Sequence, residues 1–163
     1  MAMRHAASCG LHTIGLVNVP GSTIFRESDF VLPTRAGPEI GVATTKSFTA
    51  QLTVLLCFAV ALGEAKGVID TERAAQIHHQ IQSLPGLVGC ALGLFDQIRP
   101  IAHGLSQARS ALYLGRGTLY PLALEGALKL KELSYIHAEG FASGEMKHGP
   151  IARNGQRLRM RFF

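Results

Sequence analysis

EGALKLKELSYIHAEGFASGEMKHGP, residues 125–150, sets carboxylates, lysines and histidines on a helix and on the segment that follows it. At about 3.6 residues per turn, Glu125, Lys129 and Glu132 fall at i, i+4 and i+7 and stack on one face, while Lys131 points elsewhere. A lysine three residues before a glutamate holds it ionised, and an ionised carboxylate in a partly dry cleft can abstract a proton next to a carbonyl or imine. Spacing alone leaves a second reading open. Glu and Lys at these intervals are commonly solvated pairs on a helix surface.

Working outward, SALYLGRG at 110–117 reads as a strand and a glycine turn, and TLYPLALEGALKLKELSYI continues it as a helix. That is the start of a parallel α/β unit. The turn brings backbone N–H groups to the carboxyl edge of a sheet, where anionic ligands are favoured. Gly115 and Gly117 serve tight backbone geometry equally well, and Arg116 can be an ordinary exposed charge.

Upstream, HTIGLVNV at 12–19 is a compact apolar run bounded by Gly10 and by Pro20 and Gly21, as a buried strand requires. DFVLPT at 29–34 predicts a second, shorter strand, with Pro33 at an edge or a strand end because it cannot donate a ladder bond. After Gly37 and Pro38, Thr44 or Thr45 is placed to cap a long helix running to about Lys66 and stopped by Gly67. Its apolar stretch, 47–63, falls short of the roughly 20 residues needed to span a bilayer. It also contains Thr49, Gln51 and Thr53, so the expectation is a buried helix and no membrane. Asp70 or Thr71 caps a second helix ending near Pro85 and Gly86, and a third occupies about 87–109. Their His78, His79 and His103 lack carboxylate or cysteine partners at ligand spacing and read as surface or packing residues.

The net charge of +5 would point to nucleic acid were it spread along the chain. It is not. Arg153, Arg157, Arg159 and Arg161 lie beyond residue 150, leaving twelve bases against eleven acids before it. The expectation is no nucleic acid partner. Either the tail is a phosphate- or RNA-contacting arm, or it is a short disordered end foreign to the rest; its lack of any sustained period favours the second. Cys9, Cys57 and Cys90 show neither a C-x-x-C nor paired spacing, against a disulfide framework or zinc site. Cys57 reads as a small core residue, and no apolar leader precedes Cys9, which places the chain in the cytoplasm.

The wording of two blocks goes beyond these patterns. EGALKLKELSYIHAE followed by GEMKHGP, together with AGPEIGVATTKSFTAQLT at 36–53 and NVPGSTIFRESD at 18–29, resembles the sugar-isomerase (SIS) domain of the glucosamine-6-phosphate synthase family. The likeness runs from about Leu11 to Ile151 and is weakest over 68–109. It implies a three-layer αβα fold of parallel-sheet, flavodoxin-like subdomains, incomplete at both ends. Residues 1–67 would be the C-terminal part of a first subdomain, 68–109 a helical connector, 110–150 the N-terminal part of a second, and 151–163 an unrelated basic tail.

The resemblance also implies roles. Glu132 matches the carboxylate that shuttles a proton between C1 and C2 of the opened sugar. Lys129 matches a lysine lining the sugar site, and His148 the histidine that opens the ring, reaching the site from a neighbouring subunit of a homodimer. Val42 and Thr44 match sugar contacts, Thr44 standing where the family commonly has serine. Glu125 matches a retained acid that serves either structure or the site. The partner is a sugar phosphate, fructose 6-phosphate or glucosamine 6-phosphate, with no metal and no organic cofactor called for. The family's glutaminase domain, phosphate-gripping loop and C-terminal lysine are expected to be absent, leaving the chain inactive alone. A non-catalytic sugar-phosphate-binding module on the same fold, or a related isomerase or deaminase, is the alternative.

Overall fold

The apolar run at 12–19 forms β1 (Ile14–Val17), and DFVLPT forms β2 (Phe30–Pro33), which lies parallel to it. These elements come from a computed structural model that describes residues 2–148. The chain divides into two units, one ending at Phe95 and one beginning at Asp96.

In the first unit Pro33 is the last residue of β2, opposite Val17, where its missing N–H costs no ladder bond. Two short helices that the sequence patterns did not announce flank β1: α1 (Ala2–Ser8) and α2 (Thr23–Glu27). Ser22 caps α2 by accepting from the Phe25 amide, and Arg4 ties α1 to α2 through Glu27, with Nε to Oε2 at 2.8 Å. Asp29 closes the entry to the strand pair, accepting from the backbone N–H and the hydroxyl of Thr13 at 2.7 and 2.8 Å.

α3 (Lys46–Ala65) has Thr45 at its N-cap, as expected, but the Thr45 hydroxyl makes no capping bond. Gly67, at φ 64°, takes the left-handed turn that ends the helix. Two expectations need correction. α3 spans 20 residues with a mean hydropathy of 1.7, so it is long and apolar enough by length and composition to cross a membrane. Nor is it buried: only Ser47 and Val60 are, and Leu52, Leu55, Leu56 and Leu62 stay 43–47% exposed. The helix packs on α4 (Thr71–Leu92), and Gly63 lies against Ile69 in the turn between the two helices. Cys57 is accordingly half-buried, while Cys9 and Cys90 are exposed.

Asp70 caps α4 through the Arg73 amide, as read from sequence. Pro85 does not end that helix, which runs on to Leu92 because the ladder resumes on both sides of the one bond proline removes. The third helix, α5 (Phe95–Leu105), is correspondingly shorter than 87–109. His78, His79 and His103 are all exposed on these helices.

The second unit holds β3 (Ser110–Gly115) and α6 (Tyr120–Ser134), joined by a 3-10 turn at Gly117–Leu119, then β4 (His137–Ala142) and a second 3-10 turn, Ser143–His148. β3 and β4 are parallel, with Ser110 opposite His137 and Gly115 opposite Ala142. Contact between α6 and the strands runs through small residues. Ala123, Ala127 and Ala138 are buried, and the backbone of Gly140 lies against Leu124.

At Gly115 a Cβ would sit 2.3 Å from the Leu119 carbonyl oxygen and 2.6 Å from the Tyr120 Cα, both backbone atoms. Gly115→Ala is therefore expected to lower stability by about 1–3 kcal/mol. Gly86→Ala, where a Cβ meets nothing within 4 Å on α4, should raise it by about 0.5–1 kcal/mol. Urea midpoints followed by circular dichroism check the pair; equal shifts of one sign would contradict the packing described.

Candidate functional site

α6 forms where Leu, Ala, Lys and Glu dominate and Pro121 occupies the first turn, a position that proline tolerates. It ends at Tyr135, which takes the left-handed conformation at φ 59° and donates its N–H to the Lys131 carbonyl. Gly126 faces the Tyr113 ring of β3 so closely that a Cβ would fall 2.8 Å from it. The neighbouring face of the helix carries the acidic and basic side chains.

There the structure brings three predicted residues together. Lys129 Nζ lies 2.7 Å from Glu132 Oε2 and 3.4 Å from Glu125 Oε1. The side chains are 20, 34 and 24% exposed for Lys129, Glu132 and Glu125, so the cluster is partly shielded yet reachable from solvent. The Lys129 ammonium is held above the ordinary lysine range, first by the hydrogen bond to Glu132 and then, against the opposing effect of burial, by the charges of both carboxylates. A lysine that keeps its proton between two carboxylates can orient an anionic or hydroxylated ligand, and a carboxylate so fixed can accept a proton from carbon. Lys131 is exposed, as its place in the helical period requires.

Val42 and Thr44 sit in the first unit, on the loop between β2 and α3. Val42 is 95% exposed and Thr44 is exposed, whereas Ala43 between them is 6% exposed. Residues that sequence reasoning did not single out hold this loop. Asn18 donates to the Gly37 carbonyl at 2.7 Å and accepts from the Ala36 amide at 2.8 Å. Lys46 Nζ donates to the Pro38 carbonyl at 2.6 Å, and Glu39 Oε1 accepts from the amides of Thr45 and Ser47 at 3.2 and 3.4 Å. The available signal was the Glu in AGPEIG, six residues before a predicted cap.

His148 is the last residue of the Ser143–His148 turn; its side chain, and the basic tail from 151, lie outside the described residues. On β4, His137 Nε2 and Glu139 Oε1 stand 3.2 Å apart, an exposed pair two positions apart on one strand face that had not been anticipated. Among the described residues no group of three or more His, Cys, Asp or Glu side chains is placed to hold a metal ion.

The SIS domain model matches residues 1–61 and 104–156. The chain belongs to the SIS domain family. Over 151 residues, 93% of its length, this SIS chain is 57% identical to a glutamine–fructose-6-phosphate aminotransferase (isomerizing) of Bradyrhizobium diazoefficiens and 55% identical to that of Brucella abortus. It spans about a quarter of those relatives. Among solved structures, the C-terminal domain of glucosamine-fructose-6-phosphate aminotransferase from Francisella tularensis matches 93% of the chain and 43% of its own, at TM-score 0.90 and 42% identity. The α/β class with parallel strands read from the sequence is that of the SIS fold.

Because the folded pKa of Lys129 is raised, the stabilisation it provides is fully present below the ordinary lysine value and is lost as pH rises through the higher folded value. Carbon-13 titration of the Lys129 side chain should place its midpoint above 10.5, and Glu132→Gln should bring it down toward that value. An unchanged midpoint in the variant would show that Glu132 is not the partner.

Proposed function

We propose that this chain carries part of the isomerase machinery that turns fructose 6-phosphate and ammonia into glucosamine 6-phosphate in amino-sugar synthesis. The observation that carries the reading is the Glu125–Lys129–Glu132 cluster on α6, within a chain 57% identical over 93% of its length to an isomerizing aminotransferase. Residues 1–67 and 110–150 then belong to successive SIS subdomains, with 68–109 connecting them.

The residue types suit the reaction. Converting a ketose to a 2-amino aldose needs ring opening, nitrogen attached at C2 and a proton carried from C1 to C2. Glu132 is assigned the proton transfer, since a carboxylate on one face can deliver to C2 what it takes from C1. Lys129 fixes that carboxylate through Oε2 and presents positive charge toward the sugar. Glu125 shares the ammonium and keeps it centred on the face. His148, an imidazole able to give and take a proton near neutrality, is assigned ring opening, from a second subunit of a homodimer. Val42 and Thr44 are assigned to sugar contact, and their exposure on the loop before α3 supports this. The setting is cytoplasmic.

A chimera tests the assignment, with residues 11–151 replacing the matching segment of the Brucella abortus relative. Glu132→Gln keeps the shape and loses the base, so exchange of the C1 proton with solvent should fall by about 10²–10⁴-fold while sugar-phosphate affinity stays near parental. Exchange at the parental rate would make Glu132 a structural helix acid and move the role to Glu125.

A further inference from the structure

The loop joining β2 to α3 is tied down from three directions before it reaches the helix. Asn18, just past the end of β1, bonds backbone at Ala36 and Gly37; Lys46 reaches back to the Pro38 carbonyl; and Glu39 spans the first turn of α3. Between these ties, 40–44 arches outward with Ala43 tucked in and Val42 and Thr44 outside. The Glu39 tie stands in for a missing cap, since the Thr45 hydroxyl makes no capping bond. The Ser47 hydroxyl, in a residue 5% exposed, also faces this carboxylate. Its oxygen falls outside hydrogen-bond geometry, so the two amide donors are the bonds and the hydroxyl an electrostatic neighbour. The carboxyl of Glu39 is held below the usual glutamate range by that hydroxyl first, then by the Ser47 and Thr45 amides and the Lys46 charge, with burial acting against them.

We infer that Glu39 is a positioning residue: by closing 40–45 onto the first turn of α3 it fixes the arc on which Val42 and Thr44 are presented. The inference rests on the sugar-contact reading of those two residues. Glu39 touches no sugar in this scheme. It acts by keeping the contact arc in one conformation, and apparent affinity scales with the fraction of molecules holding that conformation.

The test uses the full chain, with amide exchange at Thr45 and Ser47 as one readout and glucosamine 6-phosphate, titrated against the amides of Val42 and Thr44, as the other. In Glu39→Ala, exchange at both amides should rise by about five- to tenfold at neutral pH, the loss expected for a helix cap, and the probe should bind weaker by the same factor. Glu39→Gln retains an accepting oxygen but not the charge, so its protection should fall between that of Glu39→Ala and the parent at neutral pH, match the parent with Glu39 protonated, and lose its pH dependence. In the parent, protection should fall as pH drops through the depressed Glu39 value, because protonation removes the charge that holds the amides. Parental exchange rates in Glu39→Ala, or pH dependence persisting in Glu39→Gln, overturn the inference. So does faster exchange with unchanged probe affinity. If the probe shifts neither Val42 nor Thr44 in the parent, the sugar reading fails and takes the purpose assigned to Glu39 with it, an outcome distinct from failure of the exchange arm.

Discussion

The second unit depends on how near α6 can come to β3 and β4. Gly126 abuts the Tyr113 ring, Gly140 lies against the backbone of Leu124, and Ala123, Ala127 and Ala138 fill what remains. A helix seated this low buries little side-chain volume, and among the described residues no large side chain is fully buried. What it gains is definition. Backbone against backbone fixes the rotation of α6, and that rotation decides which stripe faces outward. Because Gly126 is pressed onto the strand, its neighbour Glu125 and the residues one and two turns later stand on an adjoining face, partly shielded by the helix beneath them.

The position of this cluster along the helix matters as much as its face. Glu132 lies in the last turn of α6, where the helix dipole presents its negative end and favours cations over carboxylates. Lys129, one turn earlier and 2.7 Å away, offsets that disadvantage and fixes the rotamer of the acid. The lysine is thus part of what permits an acid here at all. The usual rule for open α/β sheets, that ligands gather at the carboxyl ends of the strands, points instead to the β3–α6 turn and the loop after β2. It finds Val42 and Thr44 but not the α6 cluster, which lies on the returning half of the helix.

Much of this was legible in the sequence, and the exceptions share a cause. Strands rich in Val, Ile and Leu, and a cap such as Asp70, announce themselves because the local preference and the final structure agree. β4 was unread because HAEGFA has no β-branched residue; it becomes a strand by pairing with β3 and burying Ala138 under α6, a tertiary effect. Pro85 misled for the opposite reason, a local breaker overruled by the helix on both sides. At the site, Glu125, Lys129 and Glu132 could be grouped because their link is a helical period. Asn18 and Glu39 could not, since their bonds join side chains to backbone across a loop whose closure no period encodes.

The same distinction explains why α3 is so exposed while its ends are so well formed. Its termini are set locally, by Glu39 at one end and Gly67 at the other, and need no neighbour. Its main packing partner among the described residues is α4, and Leu52, Leu55, Leu56 and Leu62 stay exposed. A parallel sheet ordinarily has both faces covered, and pairs of parallel strands are seldom left to stand alone. Among the described residues each unit here has two. The ties through Asn18, Lys46 and Glu39 shape the loop before α3, and Lys129 joins the two carboxylates of the α6 stripe, each by bonds made close to the group it positions.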